Sequence, residues 1–296
     1  MADLKLFRLA PAGVSEIRSQ AADLEKSLQS LMESNLDAIL GVHFLATEYV
    51  TGKSHGGRID TLGIDENGCP VILEYKRAIN ENVINQGLFY LDWLLDHRAE
   101  FELLVMRNLD QAAMDDIDWS GPRLLCIASD FTRYDVHAVQ QINRNIELIR
   151  YRRFGDDLLA LELVNAVTAE PSGRARSGSG DSRSRIPRPQ PATEILDVLE
   201  ALRAFLLALG DDVQEKQLKL YTAYKRLRNF VCVEPHLGHL RLHVRLDPVT
   251  VPLEAGFTRD VREVGHWGTG DLEVMLRNTA DLDRAKPLLL RAYEDS

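Results

Sequence analysis

Apolar residues recur along the chain with two different periods, and the changes of period mark out its elements. Leu24, Leu28, Leu31, Leu36, Ile39 and Leu40 fall at helical spacing between Ser15, a candidate N-cap, and Gly41, a candidate stop. This spacing predicts one long amphipathic helix. Three runs of strand character follow, at His43 to Val50, Gly57 to Ile64 and Pro70 to Arg77, the last two joined as a hairpin across Asp65-Glu66-Asn67-Gly68. A second helix is expected from Asn82 to Asp96, a strand at Phe101 to Met106, another at Arg123 to Ala128 and a helix from Tyr134 to Asn143. Strands at Ile146 to Tyr151 and Leu158 to Leu163 complete the region. Helix, three strands, helix, strand, with further elements appended, predicts an α/β domain built on a mixed sheet.

The periodicity stops between Glu170 and Thr193, where Ser, Gly, Arg and Pro replace the apolar pattern. Such a segment buries too little apolar surface to offset its ordering entropy, so a flexible linker is expected over 170–193. Beyond it, Glu194 to Leu209 and Gln214 to Arg228 read as helices, Phe230 to Val233 and the alternating Leu240, Leu242, Val244 and Leu246 as strands. A further element starts at Asp271 and a helix over Asp281 to Tyr293 closes the chain. Residues 194–296 therefore form a small α+β domain, and residues 1–169 the α/β domain.

Composition narrows the class. A chain of 296 residues accommodates two domains and a connector. Hydrophobic residues at 45% and charged ones at 27% place it with globular proteins rather than disordered or membrane-embedded ones. No run approaches the roughly 18 apolar residues of a membrane helix, and Met1-Ala2-Asp3-Leu4-Lys5 lacks a signal-peptide core. Cys69, Cys126 and Cys232 are odd in number and widely spaced, which argues against a disulfide framework or a thiolate zinc site. A cytoplasmic protein without membrane partners is expected. The net charge of −10 arises in residues 1–169, which carry −10, while 170–193 carry +3 and 194–296 carry −3. No basic face of the kind that binds duplex phosphates is evident, so nucleic-acid contact requires local basic groups, a divalent cation or a second subunit.

The candidate chemistry lies in the first domain. Asp60 precedes Glu74-Tyr75-Lys76 by fourteen residues, so two acids and a lysine fall on adjacent strands. Alternation puts Glu74 and Lys76 on one face and Leu73 and Tyr75 on the other. Hairpin register decides whether Asp60 joins them. A two-residue Asn67-Gly68 turn places Asp60 opposite Tyr75, whereas a three-residue loop Glu66-Asn67-Gly68, with Gly68 left-handed, pairs Asp60 with Glu74. We expect the three-residue loop. Gln86 and Tyr90, four apart, share a face of the second helix, and Glu25 on the first helix is a candidate third carboxylate, with Glu48 as its competitor. Magnesium or manganese takes oxygen ligands and needs only one or two carboxylates plus a substrate phosphate. Asp60 and Glu74 suit that role, and Lys76 suits a point charge beside a phosphoryl group.

At these residues the chain resembles the PD-(D/E)xK nuclease superfamily. Gln86-x-x-x-Tyr90 is similar to its RecB-like branch, and Arg58-Ile59-Asp60-Thr61-Leu62-Gly63 to the catalytic domain of NucS-type endonucleases, over roughly residues 15 to 106. Gly57-Arg58-Ile59 stands where the motif has a literal Pro before the acid. The resemblance implies a restriction-endonuclease-like fold in which Asp60 and Glu74 hold Mg2+ or Mn2+ and Glu25 assists. It makes Lys76 the catalytic lysine, and has Gln86 and Tyr90 position substrate phosphate or that lysine. The expected activity is metal-dependent DNA hydrolysis by an endonuclease in repair or defence; the alternative is a catalytically silent nucleic-acid-binding or scaffold protein of the same fold.

Tyr221-x-x-Tyr224-Lys225, Asn229-Phe230, Arg259-Asp260-Val261 and Gly268-x-Gly270-Asp271 resemble a domain family of unknown function, sometimes labelled a predicted transport protein. Without spanning segments, transport is not a reading of this chain. Lys216, Lys219, Tyr221, Tyr224, Lys225, Arg226 and Arg228 interleave cations with aromatics, which makes Lys219, Lys225, Arg226 and Arg228 candidate nucleic-acid contacts, with Arg58 of the first domain as another, and the second domain a targeting module or the seat of a protein partner. His236, His239 and His243 read as solvent-facing strand histidines, and Arg150-Tyr151-Arg152-Arg153 as a charged strand end or a phosphate track. The apolar Leu88 to Leu95 helix, and the need to cut two strands, suggest a homodimer.

Overall fold

The structure, a computed structural model, describes residues 4–11, 13–20, 25–52, 56–76, 83–169, 192–265 and 268–296, the side chains of residues 20 and 25 excepted. The chain divides into two compact units, residues 1–170 and 171–296. The segment expected to be a linker lies outside the described residues up to its last two positions.

The first unit begins with a two-stranded hairpin, β1 (Leu6–Ala10) and β2 (Gly13–Ile17), and the short β3 (Ser19–Gln20). Ser15 therefore lies in a strand and caps nothing. The expected single helix is two, α1 (Glu25–Ser34) and α2 (Leu36–Leu40), interrupted at Asn35. Leu28, Met32, Leu36 and Leu40 form their buried stripe, and Gly41 ends α2 in the left-handed conformation, φ 61°. Strands β4 (Val42–Val50), β5 (Arg58–Asp65) and β6 (Pro70–Lys76) form an antiparallel meander. Helix α3 (Val83–Asp96) follows; Arg77 and Asn82, the expected ends of neighbouring elements, lie outside the described residues.

Phe101 to Met106 is not a strand but part of helix α4 (Arg98–Asn108). A short apolar run does not reveal its period, and the helix buries only Phe101 and Val105, four residues apart, while Leu103 and Met106 stay exposed. After α5 (Gln111–Asp115), the chain enters β7 (Arg123–Ala128), parallel to β6. Helix α6 (Arg133–Gln140) starts at a capping box between Thr132 and Asp135, and leads to β8 (Asn145–Phe154), parallel to β7, and the antiparallel β9 (Leu158–Val167). The sheet order is β3-β8-β7-β6-β5-β4, with β9 pairing β8. Central β6 and β7 are buried along nearly their whole length, as strands covered on both faces must be. The fold class is mixed α/β.

The second unit packs α7 (Thr193–Leu207) and the closing helix, α8 (Thr279–Glu294), on a six-stranded antiparallel sheet. Its strands are β10 (Gln214–Gln217), β11 (Thr222–Lys225), β12 (Asn229–Pro235), β13 (Leu240–Val244), β14 (Thr258–Asp260) and β15 (Leu272–Leu276), ordered β10-β11-β12-β13-β15-β14. The helix expected over Gln214 to Arg228 is the β10–β11 hairpin. Its Glu, Lys and Gln residues favour a helix locally, but Tyr224 pairs with Val231 and buries in the core, so a nonlocal contact overrides propensity.

Candidate active site

The β5–β6 hairpin takes the three-residue loop. Asp65 N–H donates to the Cys69 carbonyl at 2.9 Å, and Gly68 closes the turn with φ 75°. The Asp65 side chain also accepts from the Asn67 and Cys69 amides, both at 2.9 Å. Pairing runs from Ile64 opposite Pro70 to Thr61 opposite Leu73. Continued by one residue, this register sets Asp60 opposite Glu74, and both acids reach the same end of the sheet.

Here the backbones part and the carboxylates replace ladder partners. Asp60 Oδ2 accepts from the Tyr75 amide at 3.0 Å, and Glu74 Oε1 accepts from the Asp60 amide at 3.3 Å. Glu74 is fully buried. Burial first, then the charge of Asp60, push its carboxyl up to about 9, while the nearby Lys76 ammonium pulls it down. Lys76 is half-buried two residues along β6, on the side Glu74 faces.

Helix α3 closes over this face with the two expected residues. Gln86 Nε2 donates to Glu74 Oε2 at 2.8 Å, and the Tyr90 hydroxyl accepts from the Arg58 amide at 3.1 Å. A Cβ at Gly57 would stand 2.5 Å from the Tyr90 ring, so only glycine lets the ring lie against the start of β5.

Glu25 opens α1, but its side chain lies outside the described ones. One turn on, the buried Gln29 donates from Nε2 to the Asp60 carbonyl at 2.8 Å, to Thr47 Oγ1 at 3.1 Å and to Glu33 Oε1 at 3.0 Å. Glu33 also accepts from the Thr61 hydroxyl at 2.6 Å. Sequence reading passed over Glu33; its position four residues after Gln29, on one helix face, was the available signal. Glu48 binds Arg58 and, at 3.4 Å, Lys26. Among the described residues no three His, Cys, Asp or Glu side chains gather as a metal cluster.

A second acid cluster occupies the opposite end of β5. The buried Arg123 donates to Asp65 at 2.8 Å and, in a fork, to Glu147 at 2.8 and 3.0 Å. Despite burial, the two carboxylates hold its guanidinium firmly charged.

The basic and aromatic residues of the second unit do not form one contact strip. Lys225 and Tyr224 are buried, Arg226 pairs with Asp212 at 2.7 Å, Arg228 donates to the Asp295 carbonyl at 3.3 Å, and Lys219 is exposed. Of Lys219, Lys225, Arg226 and Arg228, Lys219, in the connection between β10 and β11, is the most exposed. His243 is buried rather than solvent-facing, and His236 stacks on His239 with centroids 4.7 Å apart. Arg150 lies within β8, buried against Asp130 and Glu162, both at 2.7 Å, so neither the strand-end nor the phosphate-track reading holds for it. Leu91, Trp93 and Leu94 of the apolar α3 run are in the core, and Phe89 is 46% exposed. No helix among the described residues is long and apolar enough to cross a membrane.

Residues 188–296 match the family model Domain of unknown function (DUF5655). An uncharacterized protein of Haemophilus influenzae is similar throughout, 28% identical over 307 residues that cover 99% of this chain and all of the relative. No solved structure matches the chain.

Proposed function

We propose that the first unit is a metal-dependent nuclease of restriction-endonuclease-like fold that hydrolyses DNA phosphodiester bonds, acting as an endonuclease in repair or defence. The observation that carries this reading is the buried Glu74, paired with Asp60, flanked by Lys76 and held by Gln86. Groups of the expected types from three elements, β5, β6 and α3, meet at one end of the sheet, on a frame of α1, the β4–β5–β6 meander, α3 and parallel β7.

The donor set fits a hard divalent cation. Two carboxylates crowd together with one buried, and the forces that keep Glu74 protonated are those a doubly charged ion reverses. Asp60 and Glu74 would hold Mg2+ or Mn2+, with Glu25 as the third acid. When bound, the ion supplies charge neutralisation at the phosphoryl oxygens and lowers the pKa of a coordinated water. Lys76 adds a compact positive charge beside the reacting phosphate, and Gln86 fixes the Glu74 carboxylate rather than touching phosphate itself. The second unit serves as a targeting or partner-binding module, and a homodimer would place two such sites on two strands.

The test is incubation with plasmid, linear, branched and single-stranded DNA, with and without magnesium or manganese, beside Glu74→Ala and Lys76→Ala. Metal-dependent cleavage lost in both variants is expected. Equal cleavage by parent and variants would overturn the assignment, and a parent that binds DNA but cuts nothing returns the scaffold alternative.

A further inference from the structure

Glu48 is the one non-glycine among the described residues with a left-handed backbone, φ 52°. For a long unbranched side chain in a strand this conformation is strained, and such strain persists only where the surroundings impose it. Its place is specific. Thr47 pairs with Thr61 and Tyr49 with Ile59, so Glu48 lies in register with Asp60, and the ladder skips that one pair. The distortion therefore sits directly across from the acid assigned to the metal.

The twist aims the Glu48 carboxylate at two cations rather than along the ladder. One oxygen takes the Arg58 guanidinium and the other the Lys26 ammonium at 3.4 Å. Both cations remain solvent-facing, with side-chain exposures of 64% and 68%, while Glu48 beneath them is 22% exposed. Arg58 is further fixed through its amide by Tyr90, and it lies two residues before Asp60. Lys26 stands on the first turn of α1 beside Glu25. In a unit this acidic, Lys26 and Arg58 are an exposed pair of cations held by one carboxylate, and Arg58 lies on the strand that carries Asp60.

We propose that Lys26 and Arg58 form a clamp for a DNA backbone phosphate next to the scissile one, and that Glu48 is the positioning residue that preorganises it. The clamp rests on the nuclease reading above and deepens it. In the free protein the Glu48 carboxylate keeps both cations oriented from beneath; on binding, the phosphate takes their outward-facing donors while Glu48 stays in place. Preorganisation of this kind avoids ordering two long side chains at the moment of binding.

The experiment measures equilibrium binding of a short DNA duplex over a salt series with calcium in place of magnesium, and cleavage separately with magnesium. Arg58→Ala and Lys26→Ala should each make the log Kobs against log[salt] slope shallower by about one. Glu48→Gln should keep the slope and bind at least as tightly, yet lose on the order of 10-fold or more in kcat, because freed cations no longer hold the phosphate in place. A parent that cuts DNA while Arg58→Ala and Lys26→Ala keep the parent slope removes the clamp alone. Glu48→Gln with parental kcat removes its positioning role. A parent that neither binds nor cuts any nucleic acid removes the nuclease reading and the clamp together.

Discussion

Strand β5 carries an acid pair at each end, and the two differ in how their cation is held. At one end Asp65 and Glu147 share Arg123, which satisfies them through three charge-assisted hydrogen bonds of 2.8 to 3.0 Å. At the other, Asp60 and Glu74 face each other with Lys76 nearby, and the Glu74 carboxyl is pushed up to about 9. A buried acid with a fitted cation is a structural joint, and here it also holds the hairpin turn whose length sets the register. A buried acid beside another acid is disfavoured in its charged form, and under the proposed function a divalent cation would offset that cost.

Removing either acid of the Asp60–Glu74 pair breaks the contrast most severely. Asp60→Ala and Glu74→Ala should each lower metal-dependent cleavage by on the order of 1,000-fold or more, measured by plasmid nicking, and titration calorimetry with manganese should show binding lost in Asp60→Ala. Arg123→Met attacks the other end. It strands Asp65 and Glu147 without their cation, and the expected loss is about 3 to 5 kcal/mol of stability, read from urea unfolding. A loss under about 1 kcal/mol would show that the triad is not the joint described.

The pH response sharpens the comparison further. The Glu74 carboxyl lies above its ordinary value of 4.5, so the metal-free chain binds an extra proton when folded. Its contribution to stability is complete below about pH 4.5 and is lost progressively as pH rises toward about 9. Thermal denaturation across that window should show this decline in the parent and a flatter profile in Glu74→Gln. Manganese binding at neutral pH should release a proton, visible as a dependence of the calorimetric heat on buffer ionisation enthalpy. The smallest effect belongs to Gln86: Gln86→Ala should lower cleavage about 10-fold and cost about 1 kcal/mol in urea unfolding, since it removes the donor to Glu74 Oε2 while Oε1 keeps the Asp60 amide.

Much of the first unit was legible because its signals are local. The turn residues Glu66-Asn67-Gly68 specify a three-residue loop, and with the two-residue alternation of a strand this is sufficient to pair Asp60 with Glu74. Gln86 and Tyr90 follow from helical spacing alone. The misread segments share a different cause. Phe101 to Met106 is apolar in too short a run to show its period, and Gln214 to Arg228 has the composition of a helix but the partners of a strand. The single helix expected from Ser15 ignored that Gly13–Ile17 pairs with Leu6–Ala10.

What the amino-acid order determined by itself was the alternation of elements, the hairpin register and the identity of the acids, lysine and glutamine that meet. Only tertiary structure decided which charged groups are in balance. Arg123 and Lys76 look alike in a sequence, as do Asp65 and Asp60, and Lys225 looks as available as Lys219. The physical reason is that the energy of a charge depends on burial and on the sign of its nearest neighbours, and both are set by contacts between segments far apart in the chain.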